Sequence, residues 1–210
     1  MHLDGVPDML TRRTLILATA GLAAVPLAGR PAAADATDQA LAFIDKLGRD
    51  LTAIVNGPAT LKDKQAGLEK IVDRDVDVVE VARFCLGRFW RSATPAQQRE
   101  YTELFHKVLV NNITGKVGEY QGVSFIIGRP QTRDDVVAVS STVIRPGNAP
   151  NKVDWLVSMS TGGPKIIDVI AEGTSLRLTQ RSDYSAYLAR NNNNVQALID
   201  AMRQQANQQS

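Results

Sequence analysis

The hydrophobic period of this chain changes twice, and that double change sets the order in which its layers can form. From Asp38 to about Gly115 the apolar residues recur every three or four positions; from Tyr120 to Glu172 they alternate; beyond Gly173 the three-to-four spacing returns. A helical stripe and a strand face cannot share one register, so the chain reads as helices, then strands, then helices. That order predicts an α+β domain, with helices before and after an antiparallel sheet.

The first amphipathic helix runs from Asp38 with Leu41, Ile44, Leu47, Leu51, Ile54 and Val55 on one side, and Asn56-Gly57-Pro58 stops it. A short second helix carries Leu68, Ile71 and Val72. The third starts near Asp75 or Asp77 and ends at Gly87. Thr94-Pro95-Ala96-Gln97 then combines an N-cap, a proline at the first helical position and a capping-box glutamine. This best-signalled helix shows Tyr101, Leu104, Phe105, Val108 and Leu109 on one face and ends before Gly115 or Gly118.

Tyr120–Ile127, Asp135–Arg145, Lys152–Met159 and Lys165–Glu172 are rich in β-branched and aromatic residues and are separated by Gly, Pro and Asn turns. Four successive antiparallel strands forming a curved meander is the economical arrangement. Two further helices follow, through Tyr184, Tyr187 and Leu188 and then through Val195, Leu198, Ile199 and Met202; the Gln-rich tail after Met202 is expected to fray.

Residues 1–36 read as an export signal. Arg12 and Arg13 open an apolar run to Leu27, and Ala32-Ala33-Ala34 or Ala34-Asp35-Ala36 supplies the small residues a signal peptidase needs. The arginine pair resembles the twin-arginine type, with Leu15 where phenylalanine is commonest, and the Sec route stays open. The run is shorter than the roughly 20 residues of a membrane span. Leu27-Ala28-Gly29 resembles the start of a lipoprotein site, but Arg30 stands where the acylated cysteine belongs. Met9 is an alternative start, since Asp4 and Asp8 are out of place in a positive leader. Residues 37–210 then form a single domain that is expected to be exported.

The charge balance, 24 Lys+Arg against 22 Asp+Glu, gives no basic excess of the kind that nucleic acid requires. Cys85 is the only cysteine, so no intramolecular disulfide staples the domain, and a buried apolar role fits it. Beyond residue 36 the only histidine is His106, on the best-signalled helix. No Gly-x-Ser-x-Gly turn accompanies it, and one His with one Cys leaves no His/Cys zinc site. Asp168 and Glu172, four apart on a strand, stand about 13 Å apart, beyond the carboxylate spacing of a glycosidase. Gly162-Gly163-Pro164 is a hairpin turn rather than a phosphate loop. The chain therefore reads as a non-enzyme with no cofactor and no metal.

Three segments carry a resemblance. Phe84-Cys85-Leu86-Gly87-Arg88-Phe89-Trp90, running on through Thr94-Pro95-Ala96-Gln97 to Tyr101 and Phe105, is the first. The second is Trp155-Leu156-Val157 leading to Asp168-Val169-Ile170-Ala171-Glu172-Gly173-Thr174-Ser175, and the third is the terminal helix pair. Together they resemble the MlaC/toluene-tolerance family over nearly all of residues 37–210. Thr174 and the short Thr161-Gly162-Gly163 turn depart from the family's usual pattern.

The resemblance implies an NTF2-like cone with an apolar cavity. It implies a periplasmic carrier that holds a phospholipid by its acyl tails and passes it between two membrane partners. One is an inner-membrane ABC transporter complex with an MCE-domain protein, the other an outer-membrane lipoprotein complex. Such a carrier needs apolar lining, for which Phe84, Phe89, Trp90, Phe105, Leu109, Tyr120, Phe125, Val139, Val143, Trp155, Val157, Ile167 and Val169 are the candidates, although each is equally at home in ordinary core. Trp155→Ala and Val139→Trp are then expected to weaken lipid retention with the fold intact. Arg88, Arg91 and Arg129 are candidates to steer a phosphate at the mouth. A carrier of another apolar lipid such as a hopanoid or sterol, an NTF2-like enzyme working at His106 or Asp168, and an adaptor with a filled core are the alternatives.

Overall fold

The computed structural model describes residues 32–159 and 162–208. Residues 1–31 of the expected leader, with its paired arginines and its alternative start at Met9, lie outside the described residues. The first helix, α1 (Ala32–Asn56), begins earlier than the apolar stripe implies; the alanines that look like a processing site are also strong helix formers. Its buried face, Ala40, Ile44 and Leu47, packs with Val137, Val139, Val157 and Ile166 of the sheet. At its end the Asn56 side chain accepts from Gly122 N at 2.7 Å and donates to Val123 O at 3.0 Å, tying α1 to the entry of the sheet.

The helices that follow start where their caps dictate. Helix α2 (Leu61–Asp75) is capped by Thr60 and α3 (Val78–Leu86) by Asp77, each side chain accepting a backbone N–H of the first turn. Gly87, at φ +60° and ψ −131°, ends α3 in a conformation open only to glycine, and a 3-10 turn, Gly87–Arg91, leads on. Helix α4 (Pro95–Thr114) carries both halves of its capping box, Gln97 N to Thr94 Oγ1 at 3.2 Å and Thr94 N to Gln97 Oε1 at 3.0 Å.

Five antiparallel strands follow in sequential order: β1 (Ser124–Arg133), β2 (Val136–Ile144), β3 (Asn151–Ser158), β4 (Lys165–Ala171) and the two-residue β5 (Thr174–Ser175). Tyr120 closes a 3-10 turn, Val117–Tyr120, instead of opening the first strand. β1 runs on past Gly128 and Pro130 by shifting register between Ile127 and Pro130. An edge strand with a bulge tolerates proline there, which is why the apolar pattern stops short of the strand's true end. β4 is covered by β5 only at Ile170 and Ala171; nearer its start, Val76 pairs parallel with Ile166, and Asp77 N donates to Ile166 O at 3.0 Å.

Helices α5 (Leu176–Arg190) and α6 (Val195–Gln208) complete the described chain. Where a frayed tail was expected after Met202, α6 continues to Gln208, the last described residue. Ala206 is buried, and Asn111 Nδ2 donates to its carbonyl at 3.3 Å. The packing separates into clusters of different origin: one built by α3, α4, α5 and α6 around Tyr101, Phe105, Tyr184 and Leu188, and others in which α1 and α2 meet the sheet. Among the described residues no helix is long and apolar enough to cross a membrane.

Candidate functional site

Between these clusters the packing leaves a cavity of about 450 Å3, within the size range of small-ligand sites. One face of each neighbouring element lines it. Leu47, Leu51 and Val55 come from α1, Leu68, Ile71 and Val72 from α2, Val81 from α3, and Leu109 and Ile113 from α4. The sheet contributes Phe125, Val143, Val153, Trp155, Ile166, Ile167, Val169 and Ala171. The strand pairing aligns several of these: Phe125 lies opposite Val143 and Trp155 opposite Val169, so cross-strand neighbours present one apolar surface.

The indole of Trp155 and the carboxylate of Asp168 are turned aside from this wall. Trp155 Nε1 donates to Ser141 Oγ at 2.9 Å, and Ser141 Oγ donates to Val153 O at 3.3 Å. Asp168, its side chain 3% exposed, is saturated. Its Oδ1 accepts from Val169 N at 2.8 Å and Arg177 N at 3.1 Å, and its Oδ2 from Ser175 Oγ at 2.6 Å, with Arg177 Nε 3.4 Å away. Those bonds hold the start of α5 against β4. The Arg177 guanidinium stacks on Phe84, its Cζ 4.3 Å from the ring centroid. Asn112, Ile113, Lys116, Tyr120 and Leu176 are lining residues that also face solvent. The cavity thus meets water near the end of α4 and the start of α5.

Of the residues singled out in the sequence, Leu109, Tyr120, Phe125, Val143, Trp155, Ile167 and Val169 stand together around this cavity. Phe84, Phe89, Trp90, Phe105, Val139 and Val157 do not line it. Phe89 and Phe105 are buried in the helical cluster, with Phe84 and Trp90 packed against it. There Tyr101 meets Trp90 edge-on at 6.4 Å and Phe105 at 6.0 Å. Val139 and Val157 are fully buried beneath α1. Both share a sheet face with Trp155, but α1 covers that part of the face. None of Arg88, Arg91 and Arg129 reaches the cavity; its cations are Lys116 and Arg177. The α1 and α2 residues, and Ile113, Val117 and Leu176, were missed because an amphipathic stripe beside a cavity reads like one beside solid core.

The groups weighed for catalysis are otherwise engaged. His106 Nε2 pairs with Asp73 Oδ1 at 2.6 Å between α4 and α2, and His106 is not a lining residue. Glu172 sits in the turn from β4 to β5 and accepts Lys152 N at 2.5 Å. Cys85 is buried with its thiol pKa pushed up to about 12, by loss of solvent first and by the Asp168 charge second, so it stays protonated and unreactive. Among the described residues no three His, Cys, Asp or Glu side chains converge as a metal site.

Comparison with known proteins bears on the fold. The family model described as MlaC protein matches residues 45–204. Among solved structures, the chain is similar to a phospholipid-binding protein from Ralstonia solanacearum determined in complex with a phospholipid. The TM-score is 0.72 at 22% identity, over 81% of this chain and 98% of that one. The shared fold is the α+β arrangement of sheet and flanking helices described above.

Proposed function

The chain belongs to the MlaC family, and from that premise we propose that it is a phospholipid carrier that holds acyl chains in the cavity between α1, α2, α4 and the sheet. The observation that carries this reading is the dryness of most of the cavity wall: apart from Asn112, Lys116, Asp168 and Arg177 its side chains are aliphatic and aromatic, and the indole of Trp155 and the carboxylate of Asp168 are bonded back into the protein. Such a wall offers little to a polar substrate and much to a hydrocarbon tail. Each methylene taken out of water is worth about 0.8 kcal/mol, so a long chain gains on the order of 10 kcal/mol by entering.

Tails are equally dry in a bilayer and in this cavity. Loading and unloading therefore lie close to balance, and direction comes from the partners. We place the carrier in the periplasm, as a single domain over residues 37–210, working between an inner-membrane ABC transporter complex with an MCE-domain protein and an outer-membrane lipoprotein complex. Lys116 and Arg177 put positive charge beside the exposed part of the lining, where a phosphate would emerge. The two groups weighed for catalysis, His106 and Asp168, are both engaged in bonds within the protein.

Native mass spectrometry with organic extraction, on protein purified from its exported form, tests the reading. A stoichiometric phospholipid is the expected result. A sterol or hopanoid in its place would keep the carrier and change its cargo, and an empty protein that takes no lipid from vesicles would overturn it.

A further inference from the structure

Two arginines share one aromatic ring where α5 leaves the sheet. Arg177 Cζ lies 4.3 Å and Arg181 Cζ 5.0 Å from the ring centroid of Phe84. The two stand on neighbouring turns of α5, a spacing at which like charges repel. Arg181 also rests against Gly87, where an added Cβ would stand 3.2 Å from its Cζ, Nε and Nη2. The bare backbone at the end of α3 thus gives this guanidinium its place.

The charge of the pair is only partly answered within the protein. Arg177 Nε is 3.4 Å from Asp168 Oδ2 but is buried without a hydrogen-bond partner, and that carboxylate already accepts from Val169 N, Arg177 N and Ser175 Oγ. Among the described residues no carboxylate pairs with Arg181, and no acceptor is hydrogen-bonded to either guanidinium. Stacking uses the face of a guanidinium and leaves the N–H groups of its edge, a fork that matches two oxygens of a phosphate. Arg177 lines the cavity together with the exposed Leu176, so the pair begins at the mouth and continues one turn along α5.

We propose that Arg177 and Arg181, held together on Phe84, form a phosphate site at the cavity mouth and give the carrier a preference for anionic headgroups, an inference that rests on the phospholipid-carrier reading. The ligand chemistry is a pair of phosphate oxygens, supplied by the headgroup or by free phosphate. The preference follows from what surrounds the pair. Among the described lining residues Asp168 is the only carboxylate, and its oxygens are filled. The ammonium of an ethanolamine headgroup therefore meets two cations and no free carboxylate on the lining, whereas the uncharged glycerol of phosphatidylglycerol meets no such repulsion.

The test compares dipalmitoyl-phosphatidylglycerol with dipalmitoyl-phosphatidylethanolamine, identical in their tails, for binding to wild type and to Arg181→Gln. Wild type is expected to favour the glycerol lipid by about fivefold or more; equal affinity overturns the preference without recourse to the variant. Arg181→Gln is expected to bind the two lipids alike, with wild-type affinity for the ethanolamine lipid, and a preference that survives the substitution removes Arg181 from the site. A second measurement on wild type follows the Nε–Hε NMR signals of Arg177 and Arg181 during titration with inorganic phosphate and, separately, with the glycerol lipid. Shifts with both assign the site to phosphate from either source, shifts with the lipid alone assign it to the headgroup, and no shift with either overturns the site. A wild-type protein that takes neither lipid but shows the shifts with phosphate ends the carrier reading and keeps the site for free phosphate.

Discussion

The indole Nε1 of Trp155 donates to the hydroxyl of Ser141 across 2.9 Å, and through this bond the largest side chain on the cavity wall presents only hydrocarbon to the interior. Ser141 is buried and its hydroxyl donates in turn to Val153 O at 3.3 Å. Ser141→Ala leaves the indole N–H without its partner and is expected to cost about 1–3 kcal/mol, while removing the donor as well, in Ser141→Ala with Trp155→Phe, recovers part of that loss. Urea denaturation of the two singles and the double closes the cycle; strict additivity would show that the bond does not couple them.

Substituting tryptophan into the sheet separates wall from core. Val169 lines the cavity, so Val169→Trp is expected to occupy the lipid's space, cutting retained lipid at least tenfold with little loss of stability. Val139, fully buried under α1, has no such space. The expectation that Val139→Trp spares the fold is therefore corrected: overpacking there costs about 1–3 kcal/mol or more. Thermal melts alongside lipid extraction distinguish the two, and equal behaviour of the pair would contradict the assignment of the wall.

Trp155→Ala removes wall and enlarges the cavity. Lipid retention is expected to fall severalfold in dilution experiments, and melting should be lower as well because the ring also packs beside the α1–sheet cluster. Unchanged retention would place the tails elsewhere.

Tyr101 holds the helical cluster and takes no part in the cavity. Its hydroxyl donates to Ala82 O at 2.9 Å, and burial pushes its pKa far up, so it remains a donor at any workable pH. Tyr101→Phe removes this bond and is expected to lower stability by about 1 kcal/mol with lipid content unchanged. A change in lipid content would link the helical cluster to the site.

Asp50 joins α1 to α2 through Arg74 Nη2 at 2.7 Å and also accepts from Lys46 Nζ at 2.5 Å. The Lys46 bond first, and the Arg74 bond after the opposing effect of partial burial, lower its pKa below the ordinary 3.8. A depressed carboxylate stabilises the fold above its unfolded value and loses that contribution as pH falls through the folded one. Wild type is therefore expected to exceed Asp50→Asn in stability at neutral pH, with the gap closing below about pH 4. A gap that widened in acid would reverse the sign and remove the pairing as its cause.

The order of layers was legible because α1, α4 and the strands each carry a periodic apolar face, and Thr94 with Gln97 marks a helix start by local chemistry alone. β1 was misplaced where Gly128 and Pro130 interrupt the pattern, since a bulge is a tertiary accommodation with no apolar signal. Half of the candidate wall was misread for a related reason. Phe105 and Leu109 lie one helical turn apart on α4, yet Phe105 is buried in the helical core while Leu109 reaches the cavity. Periodicity tells that a face is buried; whether it meets atoms or empty space depends on how the neighbouring elements fail to fill the gap.

The chain has two tryptophans, Trp155 on the cavity wall and Trp90 in the helical cluster, and their contrast locates a bound lipid directly. A phospholipid brominated along its acyl chains quenches indole fluorescence only at close contact. Loaded into Trp90→Phe, it should strongly quench the remaining Trp155; loaded into Trp155→Phe, it should leave Trp90 nearly unchanged. Stoichiometric lipid binding with Trp155 unquenched, or with both indoles quenched alike, would contradict a carrier whose cargo lies in this cavity.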